Sequence, residues 1–336
     1  MKILVTGCAG FIGAAVSSAL LQSGHQVIGV DNFNDYYNPI LKRARLSGIR
    51  ENSNFQLFEI DISDTKKITN LISSERPQRV VHLAAQAGIR QAFSDPHKYG
   101  QANLVGFLNV IEASANCEVD HFVYASTSSV YGSNSTTPFS EEHSATHPVS
   151  LYSATKIANE AIAHSYSATH NLACTGLRFF TVYGPWGRPD MAPIKFAKAI
   201  ISELPIQIYN HGKHSRDFTY IDDIVNGVKL VVDNPSQPNS NYSQAKPNSA
   251  TSNFPWRVLN IGGESPIALM EFVTKLEKAL KRKARIEFVD KQIGDMDKTA
   301  ADCSALRSAT GWAPKVSLDE GLSNLANWCQ SHQDLL

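Results

Sequence analysis

Lys2-Ile3-Leu4-Val5-Thr6-Gly7-Cys8-Ala9-Gly10-Phe11-Ile12-Gly13 opens the chain, and Gln26-Val27-Ile28-Gly29-Val30-Asp31 follows it after a helix-like stretch. The first apolar run ends in a glycine turn, G-x-x-G-x-x-G, and helical spacing continues through Val16, Leu20 and Leu21 to a stop at Gly24. The order is strand, turn, helix, strand. Glycines in such a turn allow a tight bend, let the backbone approach a pyrophosphate, and leave helix N–H groups and the positive dipole end facing its charge. The spacing is one residue longer than the common dinucleotide fingerprint. Asp31 closes the second run eighteen residues beyond Gly13. A carboxylate there reads ribose hydroxyls and repels a 2′-phosphate, which favours NAD over NADP, the plainer reading being a turn cap.

Working outward, Phe55 to Ile60 is a third strand-like run, closed by Asp61-Ile62. Arg79 to Leu83 is a fourth, opening into Ala84-Ala85-Gln86-Ala87-Gly88, and Asp120 to Ala125 is a fifth. Helix-compatible stretches lie between them near 64–74 and 99–116. Strands alternating with helices predict an α/β, Rossmann-type doubly wound parallel sheet, in which ligands bind outside the carboxyl ends of the strands. Gly7, Asp31, Asp61, Ala84 and Thr127 all fall at such ends.

The fifth run leads into the densest chemistry. Tyr124-Ala125-Ser126-Thr127-Ser128-Ser129-Val130-Tyr131-Gly132 is a hydroxyl-rich strand end, and Tyr152-Ser153-Ala154-Thr155-Lys156 begins a helix whose start is signalled by Pro148 and Ser150. Apolar residues at Ala154, Ile157, Ala158, Ala161 and Ile162 lie roughly opposite Tyr152 and Lys156, so phenol and ammonium share one face. A phenol titrates near pH ~10, and a neighbouring cation favours the phenolate, so Lys156 is expected to turn Tyr152 into a base.

Composition excludes several other functions. Among 336 residues, Lys plus Arg and Asp plus Glu each number 31, so no overall field recruits nucleic acid or an anionic membrane. The five cysteines form no C-x-x-C and no paired framework, which suits a reducing cytoplasm. The N-terminal apolar run is too short for a signal peptide, and no uncharged apolar stretch is long enough to span a bilayer. His211 and His214 lack companion ligands, so no metal is expected.

Gly7-x-x-Gly10-x-x-Gly13, Asp31, Asp61-Ile62, Leu83-Ala84-Ala85, Asn103, Thr127 and Tyr152-x-x-x-Lys156 together resemble the extended short-chain dehydrogenase/reductase family, over essentially the whole chain. The resemblance implies a catalytic trio of Thr127, Tyr152 and Lys156, with Ser126, Ser128 and Ser129 as rivals for the hydroxyl. It also implies a nucleotide-sugar substrate and bound NAD. Phe11, Ile12, Asn32, Ile62, Leu83, Ala85 and Asn103 would join Gly7, Gly10, Gly13, Asp31, Asp61, Ala84, Tyr152 and Lys156 around that NAD. Sugar 4,6-dehydratases of this family carry an Asp-Glu pair after the catalytic Thr; Ser128-Ser129 stands here, which favours epimerisation. Asp31 to Tyr37 and Phe180 to Ala192 are similar to the UDP-glucuronate 4-epimerase branch, which implies interconversion of UDP-glucuronate and UDP-galacturonate.

A sugar carboxylate needs cations or several donors; Ser128, Ser129 and Thr181 are candidates, with Arg188 a candidate cation unless it is a plain surface arginine. By the same resemblance Arg216 would hold the diphosphate, and Gln207 and Tyr209 the uracil. Gln292-x-Gly294-Asp295 and Thr299 to Asp302 look like the closing signature of the substrate domain, with Asp295 at the substrate. Asp222-Asp223 reads as a helix cap. The expected division is residues 1–180 as an NAD-binding domain, completed near 216–234 and 257–262, with 181–215 and 263–336 as a smaller C-terminal α/β substrate domain. Residues 234–256, rich in Asn, Ser, Pro and Gln, read as a mobile insertion. A homodimer is usual for the family. The competing readings are a UDP-glucose or UDP-N-acetylglucosamine 4-epimerase and an NAD-binding regulatory protein.

Overall fold

A computed structural model describes residues 1–291 and 296–336. β1 (Lys2–Thr6), α1 (Phe11–Gln22), β2 (Gln26–Asp31), α2 (Pro39–Leu46), β3 (Phe55–Glu59) and α3 (Thr65–Glu75) alternate without interruption. β4 (Arg79–His82) leads through α4 (Gln91–Ser94), α5 (Pro96–Tyr99) and a wide π turn at Gly100–Val105 into α6 (Gly106–Asn116). β5 (His121–Thr127), α7 (Leu151–His170) and β6 (Cys174–Phe179) follow. Next come β7 (Thr181–Tyr183), α8 (Ala192–Ile201), β8 (Pro205–Tyr209), β9 (Ser215–Arg216), β10 (Phe218–Tyr220), α9 (Ile221–Asp233) and β11 (Trp256–Ile261). β12 (Ile267–Ala268), α10 (Leu269–Leu280), β13 (Arg285–Val289), α11 (Ser304–Thr310) and α12 (Leu318–Ser331) complete the order.

The main sheet runs β11-β6-β5-β4-β1-β2-β3, every pairing parallel. Its strands are near-continuous apolar runs because helices cover both faces. In β1 the alternation of side chains sends Ile3 and Val5 into one buried cluster and Leu4 into the other. The strand order reverses between β1 and β4, and the crevice outside their carboxyl ends is where such a sheet binds its ligand. The smaller pairings, β8 with β13, β7 with β10 and β9 with β12, lie beyond that edge.

α7 buries an unusual face. Ser150 caps it, accepting from the backbone N–H of Ser153 at 3.1 Å in a reciprocal capping box. Its buried residues include Ser153, Thr155, Lys156, Asn159, Glu160 and Ser167, whereas Leu151 and Ala161 are exposed and Ile157, Ala158 and Ile162 are only half-buried. Polar groups tolerate that burial because they are bonded: Lys156 Nζ donates to Ala125 O at 2.8 Å and Asn159 Nδ2 to Asn103 O at 2.7 Å.

The 234–256 stretch is tied to the body: the buried Ser236 hydroxyl donates to Cys174 O and Pro255 O, and Ser249 Oγ donates to Glu141 O. Its polarity is matched by backbone partners, which composition alone does not register. Asp223 lies in the first turn of α9 but does not cap it; its two oxygens accept from the N–H groups of Lys315 and Val316, both at 3.0 Å.

Candidate active site

One cavity of about 990 Å3 opens along the carboxyl ends of β1, β2, β4 and β5 and extends to β8 and β9. Gly7, Gly10, Phe11, Ile12, Gly13, Asp31, Asn32, Asp61, Ile62, Leu83, Ala84 and Ala85 line its inner end. The glycine turn has no room for side chains. A Cβ on Gly7, whose φ is +71°, would sit 2.7 Å from Ala84 N, and one on Gly13 would sit 2.0 Å from Gly7 O. Gly10 caps α1 without a side chain, so the helix N-terminus faces the cavity bare, as a pyrophosphate requires. Asp31 is braced by the N–H groups of Ala9 at 3.1 Å and Phe33 at 2.9 Å, and Asp61 accepts from Asn32 Nδ2 at 2.8 Å. A dinucleotide therefore fits this end by shape and by donor set.

Asn103 is the exception among the residues expected at the cofactor. It is buried behind the wall: Oδ1 accepts from Gln86 N at 2.8 Å, and Nδ2 donates to Gln86 O at 3.0 Å and Thr155 Oγ1 at 3.1 Å. Its amide clamps the loop after β4 to α7, so it shapes the cavity without facing it. It lies in the π turn at Gly100–Val105.

Thr127, Ser128, Ser129, Tyr152 and Lys156 stand at the centre of the cavity. Thr127 ends β5 and its Oγ1 accepts from Ser129 N at 3.2 Å, while Tyr152 and Lys156 project from the first turns of α7. Burial pushes the Tyr152 phenol above its usual range, opposed by the charge of Arg188 and by a hydrogen bond with Thr127. Burial also pulls Lys156 down to about 8, with Glu160 acting to raise it. The direction departs from the expectation that the neighbouring Lys156 cation lowers the phenol. Desolvation outweighs the nearby cations, among which Arg188 opposes it most strongly.

A sealed polar layer lies beneath these residues. Glu160 forms a fork with Arg178, Oε1 to Nε at 2.9 Å and Oε2 to Nη2 at 2.8 Å, and accepts the Ser126 hydroxyl at 2.5 Å. Arg178 Nη1 donates to Tyr131 Oη at 3.1 Å, Tyr131 Oη donates to Asn260 Oδ1 at 2.6 Å, and Glu141 Oε1 accepts from Asn260 N at 2.6 Å. The layer joins β5, the turn after it, α7, β6 and β11.

Above the phenol, Thr181, Arg188, Gln207, Tyr209 and Arg216 line the outer end. Arg188 forks onto Asp190, Nε to Oδ1 at 3.0 Å and Nη2 to Oδ2 at 2.6 Å, and Tyr36 Oη donates to Asp190 Oδ2 at 2.9 Å. Arg216 Nη1 donates to the carbonyls of Ser215 and Asp297, and Arg90 stacks over the Tyr209 ring at 4.8 Å. Asp295 lies outside the described residues.

Sequence reasoning did not single out Tyr36, Arg45, Glu160, Arg178 or Asp190. Arg45 donates to Ala9 O at 3.2 Å, Trp186 O at 2.9 Å and Gly187 O at 3.1 Å, joining the glycine turn to the loop that carries Arg188. Two of these residues left a signal: Glu160 stands four residues after Lys156, one helical turn on, and Arg178 is the one charge in an otherwise uncharged strand. The reach of Tyr36 to Asp190 and of Arg45 to Trp186 left no spacing to read, since each spans more than a hundred positions.

The family model described as GDP-mannose 4,6 dehydratase matches residues 4–325. The Staphylococcus aureus protein CapI is 45% identical over 98% of this chain and 98% of its own. A probable UDP-glucuronate 4-epimerase of Rhizobium meliloti is 41% identical, over 98% of this chain and 96% of its own. Among solved structures, the UDP-glucuronic acid 4-epimerase of Bacillus cereus in complex with UDP-glucuronic acid and NAD is similar with a TM-score of 0.87 and 33% identity, covering 98% of this chain and 99% of the other.

Proposed function

The chain belongs to the GDP-mannose 4,6 dehydratase family of extended short-chain dehydrogenase/reductases, and from that premise we propose that it is an NAD-dependent UDP-glucuronate 4-epimerase. The observation that carries this reading is the cavity lining, where Thr127, Tyr152 and Lys156 come together and Thr127 is followed by the hydroxyls of Ser128 and Ser129 where a dehydratase has carboxyl groups. The likeness to UDP-glucuronate 4-epimerases in sequence and in structure supports it.

When bound, NAD supplies the hydride acceptor and donor for sugar C4, and its cationic ring adds to the charges of Lys156 and Arg188 that favour a phenolate. Gly7, Gly10 and Gly13 would cradle its pyrophosphate, and Asp31 and Asp61 its adenosine end. Tyr152 Oη takes the proton of the sugar 4-OH, and Thr127 Oγ1 shares that hydrogen bond. Lys156, anchored on Ala125 O, holds its charge one turn below the phenol. The 4-keto sugar that results would turn over while its UDP stays in place, regaining its hydrogen at C4 on the other face and its proton at O4 from Tyr152 Oη. Gln207, Tyr209 and Arg216 would hold the UDP.

The 4-keto uronate is a β-keto acid, which loses carbon dioxide when the bond to its carboxylate stands perpendicular to the carbonyl plane. Ser128, Ser129 and Thr181 would hold that bond away from the perpendicular.

The same proposal puts residues 1–180, with α9 and β11, on the cofactor side and 181–215 with 263–336 on the sugar side. It includes a homodimer, supported by the exposed Val105, Leu108 and Leu151 next to the half-buried apolar positions of α7. It also includes a cytoplasmic role in polysaccharide precursor synthesis, supported by five unpaired cysteines; no described helix is long and apolar enough to cross a membrane. A second reading, a neutral-sugar 4-epimerase, is favoured by one observation: Arg188 already has a carboxylate partner in Asp190. Incubating the purified protein with UDP-glucuronate, UDP-glucose and UDP-N-acetylglucosamine in turn, and resolving the products by chromatography, tests both. UDP-galacturonate is expected from the first; turnover of only the neutral sugars would replace the main reading.

A further inference from the structure

Arg188 meets Asp190 in the two-point geometry with which a guanidinium recognises any carboxylate. The two residues are neighbours in a short loop, but the pair is not only local. Tyr36, from the arm after β2, crosses the cavity to donate to Asp190, and Arg188 Nη2 lies 3.5 Å from the same Tyr36 oxygen. The loop after β4 closes the cluster. Gly88, at φ +102°, has no room for a Cβ, which would lie 2.8 Å from Tyr36 Oη and 3.5 Å from Arg188 Nη2. Tyr99 donates to Gly88 O at 2.6 Å and sets its ring edge-on to Tyr152, with centroids 6.4 Å apart.

We propose that Asp190 is an internal counter-ion that occupies Arg188 in the resting enzyme, restraining its charge beside Tyr152 and reserving it for a substrate that brings a carboxylate of its own. The charges around the cluster fit this role. Burial draws the Arg188 guanidinium down, but Asp190, then Tyr36 and Tyr152, hold it above its usual range. Asp190 is itself held low by Arg188 and by the Tyr36 hydroxyl, against burial. Lys42 and Arg45 face the same arginine from α2 and add repulsion that Asp190 offsets. A neutral sugar leaves the fork closed on Asp190. A uronate competes with Asp190 for it, and the arriving negative charge takes over the task of balancing Arg188.

The restraint on Tyr152 stands on the cluster alone, whereas the reservation for a carboxylate rests on the proposed substrate; two measurements keep them apart. In the NAD-bound protein, Tyr152 ionisation is read as tyrosinate ultraviolet difference absorbance against a Tyr152→Phe blank. Asp190→Asn removes a negative charge and lowers the midpoint by about one pH unit, while Arg188→Gln raises it. Tyr36→Phe keeps both charges and leaves the midpoint in place. An unmoved midpoint in Asp190→Asn, or a shift of the same size in Tyr36→Phe, overturns the counter-ion. In the kinetic arm, Asp190→Asn raises the ratio of kcat/KM for UDP-glucuronate over UDP-glucose severalfold. An unchanged ratio overturns the reservation, and a shifted midpoint in a protein that never acts on UDP-glucuronate supports the restraint while rejecting the uronate reading.

Discussion

Arg178 and Glu160 meet at 2.8 Å with side chains 2% and 9% exposed; Arg188 and Asp190 meet at 2.6 Å with side chains 20% and 34% exposed. Both are two-point forks, one below the Tyr152 phenol and one above it. The lower pair has all its neighbours supplied by the chain: Ser126, Tyr131 and Glu141 O complete it. Two ions so far from water are tolerated only when each lone pair and proton is met, and such a pair cannot open without a large cost. The upper pair lines a cavity and borrows one outside donor, Tyr36. Solvent and ligands reach it, so its partners are exchangeable. Identical chemistry thus serves rigidity in one place and response in the other, and burial decides which.

Tyr152 stands between the two forks, and its removal gives the largest effect. Tyr152→Phe is expected to cut turnover by about 10^3-fold, within the range for a lost general base, while NAD retention measured by absorbance after gel filtration stays intact. The comparison itself breaks most cleanly on stability. Glu160→Ala leaves Arg178 uncompensated and is expected to cost about 3–5 kcal/mol in urea unfolding, whereas Asp190→Ala is expected to cost about 1 kcal/mol or less. Equal losses would erase the distinction.

A milder change at the lower fork sharpens it. Lys156 is cationic below about pH 8 and neutral above, because burial disfavours its charge and Glu160 supports it. kcat/KM should therefore fall as pH rises through about 8. In Glu160→Gln the supporting negative charge is gone, the midpoint drops, and that alkaline limb moves to lower pH; a limb that stays put would show that Glu160 only props the fold. The smallest effect is expected at the sugar: Thr181→Val should release a minor UDP-pentose fraction, seen by mass spectrometry, and slower epimerisation with no pentose would remove Thr181 from control of the carboxylate.

The sequence made the lower half of this picture partly readable and the upper half hardly at all. The glycine turn, Asp31, Asp61 and the Tyr152–Lys156 pair are local patterns whose spacing carries their geometry, and the strand alternation placed them at one edge. Arg188 was visible as a candidate cation, with Asp190 two residues on in the same loop, but the Tyr36 hydroxyl that crosses to Asp190 was not, because a contact across 154 positions has no periodicity to read. The phenol's direction of shift was misjudged for a related reason. Charge proximity follows from helical spacing, but the depth of burial that outweighs it is a property of the packed chain. Asn103 shows the same limit: its resemblance to a cofactor residue was readable, but not that its amide is engaged by Gln86 and Thr155.

Arg45 has a consequence for anyone who would exchange parts between relatives. One guanidinium gathers carbonyls from Ala9, Trp186 and Gly187, so the glycine turn and the loop that carries Arg188 share a single rivet. A chimera cut near residue 180, however well its two pieces suit their separate ligands, inherits a mismatched rivet unless 45 and 186–187 travel together. Grafts that respect that unit should fold with their new specificity; grafts that split it should misalign the sugar against its own hydride acceptor.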